Sequence, residues 1–166
     1  MKTLYDIFNL IKSENILLEE WSYLNINHGI YLSLPGIIST HVIGIAPSLA
    51  LNNHKKYKSL LSEELGHHFT TNRNLIKNSK NYYEKTSNSK QEYKARRWSA
   101  NYLISDNEFL NALNNCIVSL YDMSEYFDVT EETIKYKIEN IVHNENLYKY
   151  IKNNFFNEVA YDCCTI

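Results

Sequence analysis

Chain-breaking residues are scarce in this sequence, and that constrains its fold more than any other feature. The 166 residues hold four Gly and two Pro. A many-stranded β fold needs more punctuated turns than that, so the scarcity favours helices. The apolar-leaning stretch 29–51 is broken by Pro35, Gly36, His41, Gly44 and Pro47. Such a stretch cannot span a membrane as a helix. Hydrophobic residues make up 44% of the chain, enough to build a core, and the length fits one compact domain or one domain with a small appendage.

Periodicity divides the chain. Leu4, Ile7, Phe8 and Ile11 predict an opening helix over 3–13. Residues 14–28 are mixed, with Trp21 as a candidate core anchor. Gly29-Ile30-Tyr31-Leu32 and His41-Val42-Ile43-Gly44-Ile45 read as two short strands joined through Leu34-Pro35-Gly36, with Pro47 ending the second. Tyr57, Leu60, Leu61, Leu65 and His68 recur at helical steps and predict a helix over 53–69. Residues 72–89 are polar and read as a loop. A second strong helix is expected over 89–104, and shorter ones over 106–118, 121–127, 131–142 and 144–156. Asp128-Val129 reads as a tight turn and Thr130 as an N-cap, which completes a helix-turn-helix outline. The expected architecture is therefore α+β, a small sheet packed on helices, with residues 1–105 as one domain and 106–166 as a helical region packed on it.

Charge narrows the partners. Lys and Arg total 17 against 19 Asp and Glu, a net of -2, so no broad field attracts nucleic acid. Between Asp122 and His143, six acids face Lys135 and Lys137, a net of four negative charges. A groove-reading helix needs the opposite sign to neutralise phosphates, so a DNA-binding protein is the weakest alternative. Cys116, Cys163 and Cys164 have no CxxC spacing, which indicates neither a cysteine zinc site nor a disulfide framework. The opening residues lack the apolar run of a secretory signal, and reduced thiols fit a cytoplasmic protein.

The chemistry concentrates at Glu63-Glu64-Leu65-Gly66-His67. Two metal ligands at i and i+4 on a helix lie on one face and can reach one ion, and a Glu after the first ligand can take a proton from the attacking water. The usual spelling is His-Glu-x-x-His; here Glu63 stands at the first ligand position, His67 at the second, and Glu64 at that of the base. A carboxylate is a competent ligand for zinc but lowers the Lewis acidity of the ion, which brings manganese into range. A second register, Glu64 with His68, leaves no Glu directly after the first ligand and ranks lower. Glu92, on the following helix, is the candidate third ligand, and Ala95, Ser99 and Ala100 are small enough to let the two helices approach. His28 or His41 offers a substitute ligand from the strands.

Each of these residues has a plainer reading. Glu63-Glu64 is also what a solvated acidic patch looks like, and His67 or His68 can be an ordinary hydrogen-bonded histidine. Glu92 and Arg96, at i and i+4, can form a helix ion pair. His28, His41, His54 and His143 read as surface residues, and Trp98 as core.

Together, Glu63-Glu64-Leu65-Gly66-His67 and Glu92-x-x-Ala95-Arg96-x-Trp98-Ser99 resemble the ImmA/IrrE family of metallopeptidases. In that family a His-Glu-Leu-Gly-His helix is followed by a helix of the form Glu-x-x-Ala-(Asn/Arg)-x-(Phe/Trp)-Ala. The resemblance covers roughly residues 15–140, and the Glu-Glu-Leu-Gly-His spelling is similar to members from phages and mobile elements. It implies a zincin-like metallo-endopeptidase that cleaves a helix-turn-helix transcriptional repressor, with His67 and Glu92 matching metal ligands, Glu63 at a ligand position and Glu64 matching the base. The substitution at Glu63 leaves an alternative open: a peptidase-like module that binds a repressor without cutting it.

Overall fold

A computed structural model describes residues 1–24, 29–34, 40–70 and 82–155. Within them the chain runs α1 (Leu4–Ser13), β1 (Ile16–Glu20), β2 (Gly29–Leu34), β3 (Thr40–Ile45), α2 (Pro47–Asn52), α3 (His54–Thr70), α4 (Tyr82–Leu103), α5 (Asp106–Asn114), α6 (Leu120–Phe127), α7 (Glu131–Val142) and α8 (Glu145–Phe155). The α+β class is borne out: a three-stranded sheet lies against a helical body. No helix among the described residues is long and apolar enough to cross a membrane.

Local chemistry explains most element ends. Thr3 caps α1 reciprocally with Asp6, and Ser105 caps α5 with Glu108. Thr130 caps α7 through the Thr133 amide, and its own amide is held by the Ser59 hydroxyl of α3 at 3.1 Å. Asp128 ends α6 in the left-handed region at φ 51°, which makes the tight turn expected there.

The sheet is ordered β1-β3-β2, with β3 central. β1 runs parallel to β3, Ile16 beside His41 and Glu20 beside Ile45. β2 runs antiparallel to β3, Gly29 beside Ile45 and Ser33 beside His41. Ile43, Ile45, Leu61, Leu65, Leu103 and Ile104 are among the buried side chains that join sheet and helices into one core.

Several boundaries differ from the periodicity reading. β1 lies where no strand was expected, because Ile16-Leu17-Leu18 lacks alternation and becomes a strand through its pairing with β3. Pro47 ends β3 but also opens α2, where its missing N–H costs nothing in the first turn. α4 starts at Tyr82, so the polar run read as a loop is helical from there on. Polar composition alone does not exclude a helix. The expected helix over 106–118 stops at Asn114, after which Cys116 turns the chain at φ 60°. Residues 72–81, most of the strand joint at 35–39, His28 and Cys163-Cys164 lie outside the described residues.

Trp21 is half-buried, not a core anchor. Its ring covers Gly44, where a Cβ would lie 2.4 Å from Cε3, and it stacks on Tyr23 with centroids 5.6 Å apart. Trp98 is likewise half-buried, stacked between Phe69 and Tyr102.

Candidate metal centre

The site begins with the contact between α3 and α4. Gly66 faces Ala95 so closely that a Cβ at Gly66 would lie 2.3 Å from the Ala95 carbonyl oxygen. Backbone cannot yield as a flexible side chain can, so any larger residue at Gly66 would push the helices apart. Residues ascending α3 meet residues descending α4: Glu63 reaches Arg96, and His67 reaches Glu92. The pair is thus antiparallel, with its closest point one residue from His67.

That approach brings Glu63, His67 and Glu92 together, one ligand atom of each lying within 4.8 Å of the others. His67 Nε2 stands 3.4 Å from Glu92 Oε2. Two donors each about 2.1 Å from one zinc ion are at most about 4.2 Å apart. The His67–Glu92 spacing already meets that limit, and the whole set closes on an ion with side-chain shifts of less than about an ångström. Imidazole with carboxylates is a donor set suited to zinc and, with this much oxygen, to manganese. The residues present therefore fit a divalent metal.

Glu64 points elsewhere on the same wall. It is 5% exposed and lies against β2, where a Cβ at Gly29 would sit 2.7 Å from its Oε1. Burial pushes its carboxyl up to about 8; His67 and a hydrogen bond from the Tyr31 backbone pull it down, and Glu63 and Glu92 push it further up. Glu63 is raised mainly by burial, against the pull of Arg96. Glu92 is held below the usual carboxylate range, first by its hydrogen bond from His67. Burial acts to lower His67, but Glu92, Glu64 and Glu63 outweigh it and hold the imidazole above its ordinary value. Glu63, Glu64, His67, Glu92 and Arg96 share a cavity of about 580 Å³ with Gly29, Ile30 and Tyr31 of β2.

The plainer pairing of Glu92 with Arg96 does not form. The Arg96 Nε–H donates to Glu63 Oε1 at 2.8 Å, and Nη1 donates to Glu132 at 2.8 Å and to the Tyr136 hydroxyl at 3.4 Å, both on α7. The i, i+4 spacing of Glu92 and Arg96 concealed this, because the partner lies 33 residues away on α3.

The other histidines go elsewhere. His68 bonds the Tyr31 hydroxyl at 2.9 Å and stands 3.4 Å from Glu14, so the Glu64–His68 register is not assembled. His41 bonds the same hydroxyl at 2.7 Å; it is half-buried beside His68 and is not a fourth member of the acidic set. His54 is exposed and pairs with Asp128 at 2.9 Å, and His143 is exposed.

Among known families, the chain matches the model described as the IrrE N-terminal-like domain, a peptidase family, over residues 23–139. That span covers most of the chain, from ahead of β2 into α7, and includes every member of the site. The chain belongs to this family. No curated protein and no solved structure matches it.

Proposed function

We propose that this member of the IrrE N-terminal-like peptidase family is a metal-dependent endopeptidase in which His67, Glu92 and Glu63 hold zinc or manganese and Glu64 is the general base. The observation that carries the reading is the convergence of an imidazole and two carboxylates from adjacent helices, with Glu64 one residue from the first of them. When bound, the ion supplies Lewis-acid polarisation of the scissile carbonyl. Glu64 takes the proton of the attacking water at a carboxylate oxygen and delivers it to the leaving amide nitrogen. Gly29 packs against Glu64 and the Tyr31 backbone favours its charged form, while its proton affinity would fall beside a bound dication and free it to act as the base. Arg96 orients Glu63 and offsets its charge. β2 is an edge strand whose Gly29, Ile30 and Tyr31 line the cavity, which suits an extended segment of a protein substrate.

The substrate in this reading is a helix-turn-helix transcriptional repressor of a phage or mobile element, met in the cytoplasm. The experiment is incubation of the zinc-loaded protein with the repressor encoded beside it. Two fragments that fail to form with Glu64→Gln support the proposal; an intact repressor under all metal conditions overturns it.

One observation favours a second reading, a repressor-binding module without cleavage. Glu63 replaces the usual His and is engaged by Arg96, which lessens what it can give an ion. Stable co-purification with the repressor, uncut, would select that reading.

A further inference from the structure

The face of α3 one residue round from the acidic set carries a second polar cluster. Glu64 and His68 are one turn apart on that face, which lies against the sheet. Tyr31 sits beside Ile43 across the β2–β3 pair, so His41, two residues earlier on β3, is its diagonal neighbour on the same face. The Tyr31 hydroxyl lies 2.7 Å from His41 Nδ1 and 2.9 Å from His68 Nδ1, with the Ser33 hydroxyl as a further partner. His68 Nε2 lies 3.4 Å from Glu14, the C-cap of α1.

A phenol has one proton, so it can donate to only one of two imidazoles and must accept from the other. A single direction satisfies every contact with neutral rings. His41 Nδ1–H donates to Tyr31, Tyr31 donates to His68 Nδ1, and His68 Nε2–H donates to Glu14. Packing alone does not call for this: a phenylalanine would fill the same space. The backbone of the same Tyr31 faces the Glu64 carboxylate and favours its charged form. Two residues earlier, Gly29 approaches that carboxylate too closely to admit a Cβ.

We propose that Tyr31, His41 and His68 are positioning residues that lock β2 against α3, so that the β2 backbone holds the Glu64 carboxylate in one orientation. The cluster touches no reacting atom. Its catalytic consequence rests on the reading of Glu64 as the base, but its structural consequence does not.

Tyr31→Phe, which keeps the ring and removes the hydroxyl, is the test, with amide exchange at residue 31 read in the metal-free protein and kinetics in the zinc-loaded one. Exchange at residue 31 rises about tenfold while zinc stoichiometry holds, and kcat falls about tenfold with KM changed less than about twofold. His41→Leu repeats this pattern, and His41→Asn, which keeps a polar group near Nδ1, is faster than His41→Leu. These two variants decide the matter should Tyr31→Phe not fold. Unchanged exchange at residue 31, or unchanged kcat in an active enzyme, overturns the proposal. If the wild-type protein cuts nothing, the peptidase reading fails by itself, and amide exchange still decides whether the cluster holds the carboxylate.

Discussion

Buried charge is handled in opposite ways in two parts of this molecule. Around α6 and α7, each buried cation has its own acceptors. Lys58 donates to the Phe127 carbonyl at 3.0 Å and lies 3.6 Å from Asp128. Lys137, 1% exposed, donates to Asp106 at 2.6 Å and Asn101 at 3.0 Å. Between α3 and α4 three acids gather: Arg96 engages Glu63 and is itself divided with Glu132, Glu92 faces His67, and Glu64 meets no guanidinium among the described residues. Burial of unbalanced like charge is costly, and the protein bears that cost at one place. The contrast separates ion pairs that hold helices together from the cluster proposed to receive a divalent cation.

The sharpest way to break this comparison is at Glu64. Glu64→Gln keeps shape and loses the base, so peptidase activity should fall roughly 100- to 10,000-fold with zinc content unchanged. Fragment formation at the wild-type rate would remove Glu64 from the chemistry.

A somewhat smaller effect is expected in pH. The folded value of Glu64, about 8, lies above its ordinary 4.5, so its stabilising contribution is complete below about 4.5 and lost as pH climbs through about 8. Glu63 and His67, also raised, act in the same direction; Glu92, lowered, acts only in more acidic solution. At about 1.4 kcal/mol per unit, the metal-free protein should lose a few kcal/mol between pH 5 and 8, and Glu64→Gln should flatten much of the slope. Urea titrations at several pH values check this. Lys137 shifts the other way: burial lowers it from 10.5, against the pull of Asp106.

Next in size is metal-linked stability. Zinc at a hundred times its dissociation constant should stabilise the wild-type protein by about 2.7 kcal/mol, and Glu92→Gln should abolish most of that at the same zinc concentration. Thermal unfolding with and without zinc reads it directly. The smallest effect belongs to the balanced region. Lys137→Met leaves Asp106, already 46% exposed, to water, and should cost about 1 kcal/mol while leaving zinc stabilisation intact. A loss of zinc stabilisation in Lys137→Met would erase the distinction between the two regions.

The site was more legible in the sequence than the sheet. Glu63 and His67 share a face because a helix returns every 3.6 residues, and Gly66 with Ala95 marks close approach by size alone. What stayed hidden depends on partners distant in sequence. β1 is a strand because of β3, and Arg96 turns to α3 and α7 and not along its own helix. His41 and His68 meet edge to face across the contact of β3 with α3, ring centroids 4.7 Å apart, and both bond the Tyr31 hydroxyl. Spacing along one element encodes none of these meetings.

The most direct test of the central claim is X-ray absorption at the zinc edge on protein loaded with one ion per chain. The account predicts one imidazole nitrogen at about 2.0–2.1 Å with oxygen donors completing the shell, and loss of that nitrogen in His67→Ala. Two or more imidazoles, a sulfur shell, or a spectrum unchanged by His67→Ala and Glu92→Gln would contradict it.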